Sequence, residues 1–321
     1  MAKKINMGGQ AVIEGVMIRS PKYNVIAVRK NREIKIKNER IRERKGFYKL
    51  PIVRGFFNLV DMVVIGMKAI SWSADQQLGK KEKISKKEMA FSVILAFALG
   101  IGLFMILPYF LTNFIGYYEE TKPLLFNLID GIIRITIFLL YIIALSFMKD
   151  VRTLFQYHGA EHMSIHCYEK GKKLDAENIK KFPTLHPRCG TAFIMIVMVV
   201  AILTFSVITP IILAVFPQLL DMGNLPRRII LFLVRISLLP LIAGISYEFL
   251  KFSAKFEKNP IMKIFIFPGL LMQKITTKKP DKKQIEVAMA AVRKVLVLEK
   301  RAPFKKSIKT RNNIVGDSPT I

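Results

Sequence analysis

All four histidines of this 321-residue chain and both of its cysteines fall in one window of 32 residues. They are His158, His162, His166, Cys167, His186 and Cys189. Histidines serving scattered structural duties would be spread along the chain. Imidazole and thiolate are the side chains that bind transition metals best, so the cluster points first to a metal site. Long apolar segments flank the window on both sides, which sets the site at a membrane face.

A helix over Tyr157–Glu169, stopped at Gly171, puts His158, His162 and His166 at i, i+4 and i+8 on one face. Glu169 shares that face, and Glu161 lies beside it. At 1.5 Å per residue His158 and His166 are about 12 Å apart along the axis, so one cation cannot take both. His158 and His162 can share one, which leaves His166 for a second metal or for a substrate contact. His158-Gly-Ala-Glu161-His162 is also the H-x-x-E-H pattern, in which two histidines hold zinc and the glutamate activates a bound water. Downstream, His186-Pro-Arg-Cys189 offers a further H-x-x-C pair just before an apolar helix. The positive end of that helix favours thiolate at Cys189. Glu248 ends the last apolar segment on the same side and is a candidate third ligand. Arg188 suits an anionic group of a substrate. Against these stand plainer readings: a hydrogen-bonded histidine cluster without metal, His186 and Cys189 anchoring a turn, Cys167 packed as a small hydrophobe, and Glu248 paired with a lysine. Tyr157, Tyr168 and Tyr247 read as interfacial anchors.

The elements that must position these residues follow from hydropathy and charge. A mean hydropathy of +0.33 with a net charge of +28 is a pairing that soluble proteins rarely show. Four segments, near Met89–Leu111, Leu125–Met148, Thr191–Val215 and Ile229–Leu250, are long enough to cross about 30 Å of hydrocarbon. Runs of this kind argue against nucleic acid as the partner of the basic surface and for a bilayer with anionic headgroups. Residues 1–88 carry a net +13, 149–190 a net +3 and 251–321 a net +12, whereas 116–124 carries −1. The positive-inside rule then puts both termini and the His/Cys loop in the cytoplasm, giving a multi-pass protein of a bacterial cytoplasmic membrane. There the thiols face a reducing compartment.

Within that frame, residues 1–50 read as a β-rich segment. Gln10–Ile18 is one apolar run, Val25–Val28 and Glu33–Lys37 are strands, Asn31-Arg32 turns between them, and Gly8-Gly9 is a turn. Residues 51–88 form an interfacial helix, apolar but interrupted by Arg54, Asp61 and Lys68, followed by a basic linker over Gly79–Lys87. Residues 89–250 are the four-span unit with the cytoplasmic loop 149–190. Residues 251–300 hold a surface helix over Pro260–Lys274 and a helix over Asp281–Glu299 capped by Asp281. Residues 301–321 form a basic, unstructured tail. Asp130 and Arg134, four apart in the second span, neutralise each other, and Arg235 helps bind the second span to the fourth.

Five ordered stretches, Gly8–Arg19, Pro51–Gly55, Tyr157–His162, His186–Thr191 and Gln273–Thr277, resemble the bacterial YqhQ-like family over nearly the whole chain to about residue 300. The resemblance implies a multi-pass membrane protein of a kind labelled a predicted metal-dependent enzyme, and it implies no substrate.

The sequence therefore predicts a mainly α, polytopic membrane protein with four transmembrane helices and a small cytoplasmic α+β part that includes an N-terminal β-sheet. The leading function is a zinc-dependent hydrolase at the cytoplasmic face. Its metal would be held by His158 and His162, the shell completed from His166, His186, Cys189 or Glu248, with Glu161 as general base and a lipid or amphiphile as substrate. The alternatives are a di-iron oxidative enzyme and a non-catalytic scaffold, insertion factor or transporter with a structural metal clip. Oligomeric state leaves no mark in the sequence.

Overall fold

The structure, a computed structural model, describes residues 5–42, 44–78, 86–256 and 259–301. Most of the predicted linker over Gly79–Lys87 and all of the tail after Pro303 lie outside the described residues. Four antiparallel strands open the chain in the order β1-β2-β3-β4: β1 (Gly8–Val12), β2 (Gly15–Arg19), β3 (Tyr23–Lys30) and β4 (Glu33–Arg40). Two sequence expectations are corrected here. The run Gln10–Ile18 is two strands, folded back at Ile13-Glu14 with Glu14 at φ +52°. Gly8-Gly9 is part of β1 and not a turn. The apolar run hid the hairpin because this sheet is covered on both faces, and such strands do not alternate. Val16, Ile18, Val25 and Ala27 face one core, while Val12, Met17, Ile26 and Val28 face another. Asn31-Arg32 does turn β3 into β4, with Asn31 at φ +57°.

The helices follow in order: α1 (Val53–Gln77), α2 (Lys86–Ile101), α3 (Leu107–Phe114), α4 (Pro123–Leu145), α5 (Lys149–Glu169), α6 (Ala176–Ile179), α7 (Gly190–Val215), α8 (Gln218–Asp221), α9 (Asn224–Lys255), α10 (Pro260–Thr276) and α11 (Lys282–Arg301). Among the described residues, four helical stretches are long and apolar enough to cross a membrane: Ala90–Phe114, Pro123–Leu145, Gly190–Val215 and Leu225–Ser253. The first joins α2 to α3 through a π turn at Gly102–Ile106. Pro108, which has no N–H to give, follows directly, and the wider turn absorbs the break in the ladder.

Small residues set the close crossings. Gly131 of α4 lies under Ile202 of α7, Gly269 of α10 under Ala192 of α7, and Gly55 of α1 against Gly244 of α9. At that last crossing Ile52 takes φ +67°, and Val53 N–H reaches Pro51 O at 2.7 Å in a strained γ-turn. Two charges in the middle of these stretches, Arg134 and Arg235, have acidic partners. Arg134 donates to Asp130 at 2.6 Å, and Arg235 donates to Glu119 at 2.5 Å and to Asn127 at 3.1 Å, joining α9 to α4.

α5 is the element on which the rest converges. One of its faces, with Tyr157, Ala160, Ile165 and Cys167, completes the core made with β2, β3 and α11. Its end is fixed by Gly171 at φ +67°, with Gly171 N–H bonded to Tyr168 O and Lys172 N–H to Cys167 O. α11 opens with a reciprocal cap: Gln284 N–H donates to Asp281 Oδ1 and Asp281 N–H donates to Gln284 Oε1. The tyrosines depart from their expected surface role. Tyr157 is buried with its hydroxyl donating to Glu14 at 3.1 Å, and Tyr168 accepts from Ile5 N–H at 2.9 Å.

Between α10 and α11 the backbone crosses α5 at Gly159, where Lys278 N–H donates to Phe155 O. A Cβ on Gly159 would overlap the carbonyl oxygen of Lys278. Gly159→Ala is therefore expected to destabilise the detergent-solubilised protein by about 1–3 kcal/mol, although alanine is the better helix former. Gly100→Ala, where a new Cβ meets nothing within 4 Å, should be neutral or stabilising. Thermal unfolding of the two variants compares them directly.

Candidate metal centre

The second face of α5 carries the histidines. They form a row with His186, which enters from the loop before α7. Ring centroids are 4.4 Å apart for His158 and His162, 5.6 Å for His162 and His186, and 4.5 Å for His186 and His166. Ligand-bearing atoms gather into two groups: His158, His162 and Cys189, and His166, Glu169 and His186. Within each, the atoms lie within 4.8 Å of one another. The helix rise thus divides the row as its length requires, with His158 and His166 in different groups.

The first group is oriented from behind. His158 Nδ1 lies 2.9 Å from Thr276 O, and His162 Nδ1 lies 2.5 Å from Thr184 O. A carbonyl only accepts, so each Nδ1 carries a proton and each Nε2 keeps a free lone pair. His158 Nε2 then faces Cys189 Sγ at 3.2 Å. Histidine ligands to metals are held in this way, by a carbonyl or carboxylate on the far ring nitrogen. Burial pushes the His162 pKa down, which keeps the ring neutral; contact with Cys189 works the other way and does not prevail. Cys189 caps α7, its sulfur accepting from Thr191 N–H at 3.4 Å.

Glu161 sits beside this group. It is 2% exposed, and its Oε2 has no hydrogen-bond partner. That atom lies 3.6 Å from His162 Nε2, beyond hydrogen-bonding distance. Burial raises the Glu161 pKa to about 7, while the charges of His158 and His186 pull it back. Gly9 of β1 covers the carboxyl, and a Cβ there would press on its Cγ and Oε1. The tighter constraint at that point of the strand is the Met17 carbonyl oxygen, which the Cβ would overlap.

The second group has a different character. His166 Nε2 donates to Leu185 O at 2.8 Å, so its Nδ1 is the free nitrogen. His186 Nε2 lies 3.3 Å from Glu169 Oε2, and His186 Nδ1 accepts from Arg188 N–H at 3.2 Å. Arg188 donates to Glu169 Oε1 at 2.6 Å. Burial works to raise the Glu169 pKa, but the hydrogen bond from His186 and the charges of His186, Arg188 and His166 bring it below its ordinary value. Burial lowers the pKa of His166.

Most of the predicted site residues are brought together, and one is not. Neither group contains Glu248, whose two oxygens accept from Arg54 Nε and Nη2. Glu248 lies apart from both groups, paired with Arg54 of α1, which directly follows the tight turn at Pro51–Val53. Arg188, expected to await an anionic substrate, is committed to Glu169. Cys167 is fully buried in the α5 core and acts as a small hydrophobe.

Sequence reasoning missed the outer supports. Gln273, wholly buried, clamps the backbone of His186 from both sides: His186 N–H donates to its Oε1 at 2.8 Å, and its Nε2 donates to His186 O at 2.9 Å. Thr184 and Thr276 act through their carbonyls, which no side-chain pattern reveals. Gln273 and Thr276 do lie in the Gln273–Thr277 stretch that carried the family resemblance, and that was the one available signal.

A family described as "Protein of unknown function (DUF1385)" matches residues 50–298. The chain belongs to this family. It is also 30% identical over 332 residues to "Uncharacterized protein YqhQ" of Bacillus subtilis (strain 168), covering 96% of this chain and 97% of that protein. No solved structure matches. The match to the family begins at residue 50, so the sheet that covers Glu161 precedes it.

The clamp on His186 is open to test. Gln273→Ala leaves two buried backbone groups unpaired, at a cost of about 1–3 kcal/mol each. The variant should unfold at lower temperature, whereas Gln273→Glu should keep the acceptor half of the clamp and lose less. Equal loss in both variants would count against the clamp.

Proposed function

We propose that this protein is a membrane-embedded, metal-dependent hydrolase whose site lies at the cytoplasmic face of a bacterial inner membrane. The observation that carries this reading is the pairing of His158 and His162, each turned by a backbone carbonyl to offer Nε2 toward Cys189, with an unpartnered buried carboxyl beside them. Two imidazoles and a thiolate form a three-ligand set of the kind that catalytic zinc uses, leaving a fourth position for water. Iron is the alternative cation. A bound zinc supplies Lewis acidity and a water acidified to near pH 7.

The chain's own residues do the rest. Glu161 Oε2 takes the water's proton and returns it to the leaving group. A carboxyl poised near 7 suits both steps. Tautomers fixed by Thr184 and Thr276 spare reorganisation when the cation enters. Substrate would be a lipid or amphiphile reaching the membrane face, drawn by the basic surround of anionic headgroups. The charge of the terminal regions and the 149–190 loop supports their cytoplasmic placement.

A structural metal clip in a non-catalytic membrane protein is the second reading. The burial of His158, His162, Cys189 and Glu161 favours it, since a substrate needs a way in.

X-ray absorption at the metal edge separates the two on the purified full chain. The hydrolase requires two nitrogen, one sulfur and one exchangeable oxygen neighbour; four protein donors would leave only the clip. Glu161→Gln should retain the metal and lose about 10²–10⁴ in turnover of phosphatidylglycerol vesicles or a generic ester substrate. Loss of metal in that variant would remove the base role. Orientation is checked separately: alkaline phosphatase fused within 116–122 should be active outside the cell, and fused after residue 175 it should be inactive.

A further inference from the structure

The second group of donors has no part in the reaction just described. His166, Glu169 and His186 present three ligand atoms within 4.8 Å of one another, on the same helix face as the first group. His166 keeps Nδ1 unprotonated because its Nε2–H is spent on Leu185 O. Glu169 is held in place by Arg188 at 2.6 Å on Oε1 and by His186 at 3.3 Å on Oε2. The position of His186 is fixed through its backbone by Gln273. These are the features of a prepared ligand set: an imidazole with its tautomer fixed, a carboxylate held by neighbouring donors and a rigid backbone behind them.

We infer that the centre takes two divalent cations, the second held by His166, Glu169 and His186 next to the first. The inference deepens the proposed hydrolase and rests on its first site. The two sites adjoin, since the rings of His162 and His186, one from each group, are 5.6 Å apart. Glu161 stands at the first group's inner edge, its Oε2 3.6 Å from Nε2 of His162, the ring that adjoins His186. Its unpartnered Oε2 is the one buried carboxylate oxygen in this window without a hydrogen bond among the described residues. Adjoining cation sites are what hydrolytic two-metal enzymes use to hold the attacking and departing oxygens of a phosphoryl or acyl group. Phosphate esters at a membrane face are therefore the substrate class that the second site favours.

Filling the site rearranges protons in a defined way. Without metal, His186 Nε2–H faces Glu169 and its Nδ1 accepts from Arg188 N–H. To bind through Nε2, neutral His186 moves its proton to Nδ1 and gives up the 3.2 Å contact with Arg188 N–H. Glu169 Oε2 exchanges the imidazole for the cation and keeps Arg188 on Oε1. No net proton is released.

The test uses the full chain in lipid nanodiscs, stripped of metal and titrated with Mn²⁺ and Zn²⁺. Two equivalents should bind, and Mn²⁺ at two equivalents should give the exchange-coupled spectrum of a close pair in electron paramagnetic resonance. His166→Ala and Glu169→Gln should each reduce binding to one equivalent and abolish the coupling. His158→Ala and Cys189→Ser report on the first site in the same titration. One equivalent in the wild type that survives His166→Ala but not His158→Ala would overturn the second site and leave the hydrolase reading intact. Zero equivalents in the wild type would overturn both. Two equivalents without coupling would show separate sites and refute the paired centre. Glu169→Asp, which keeps the charge, should restore part of the second equivalent; failure to do so while the protein stays folded would count against Glu169 as a ligand.

Discussion

The arrangement depends on two hydrogen bonds, from His158 Nδ1 to Thr276 O and from His162 Nδ1 to Thr184 O. An imidazole has two nitrogens and, when neutral, one proton. Whichever nitrogen donates leaves the other as a lone pair with a fixed direction. Here the carbonyls come from two different segments, one ahead of His186 and one at the end of α10. Tertiary packing of α10 on α7 and of its exit segment on α5 therefore decides what the histidines can do. Gly159 and Gly269 permit that packing, and Gln273 locks the intervening loop to it.

The second constraint is the buried carboxyl of Glu161. An ionised group at 2% exposure, lacking a partner for one oxygen, is costly wherever it occurs. A protein built only for stability would replace it. The strand that seals it in through Gly9 adds to that cost, and the nearby imidazoles offset part of it. Elsewhere buried charges are neutralised locally: Asp130 by Arg134, Glu119 by Arg235, Glu248 by Arg54.

α5 connects the two halves of the molecule. It starts four residues beyond a helix of membrane-spanning length and ends in a Schellman turn beside the core it forms with the sheet and α11. One face of α5 supplies apolar side chains to the sheet and α11. The other supplies donors to a loop that leads directly into α7, another helix of spanning length. Cys189 stands at that junction as helix cap and candidate ligand together.

The sequence by itself determined a good deal. Hydropathy located the four long apolar helices within a few residues, because burial in hydrocarbon demands an unbroken apolar run and little else. The 3.6-residue period put His158, His162 and His166 on one face, and the length of two turns kept His158 and His166 from one cation. Asp281 and Gly171 marked helix ends through local chemistry that neighbouring residues settle among themselves. The sequence could not tell that Gln10–Ile18 folds back on itself, since a sheet covered on both faces erases alternation. Nor could it tell that Arg54 would claim Glu248 from 194 residues away, or that Glu169 would join His186 and Arg188. Which carbonyl meets which ring nitrogen is likewise written in no local pattern. Backbone carbonyls are the same at every residue, so only the fold can choose among them.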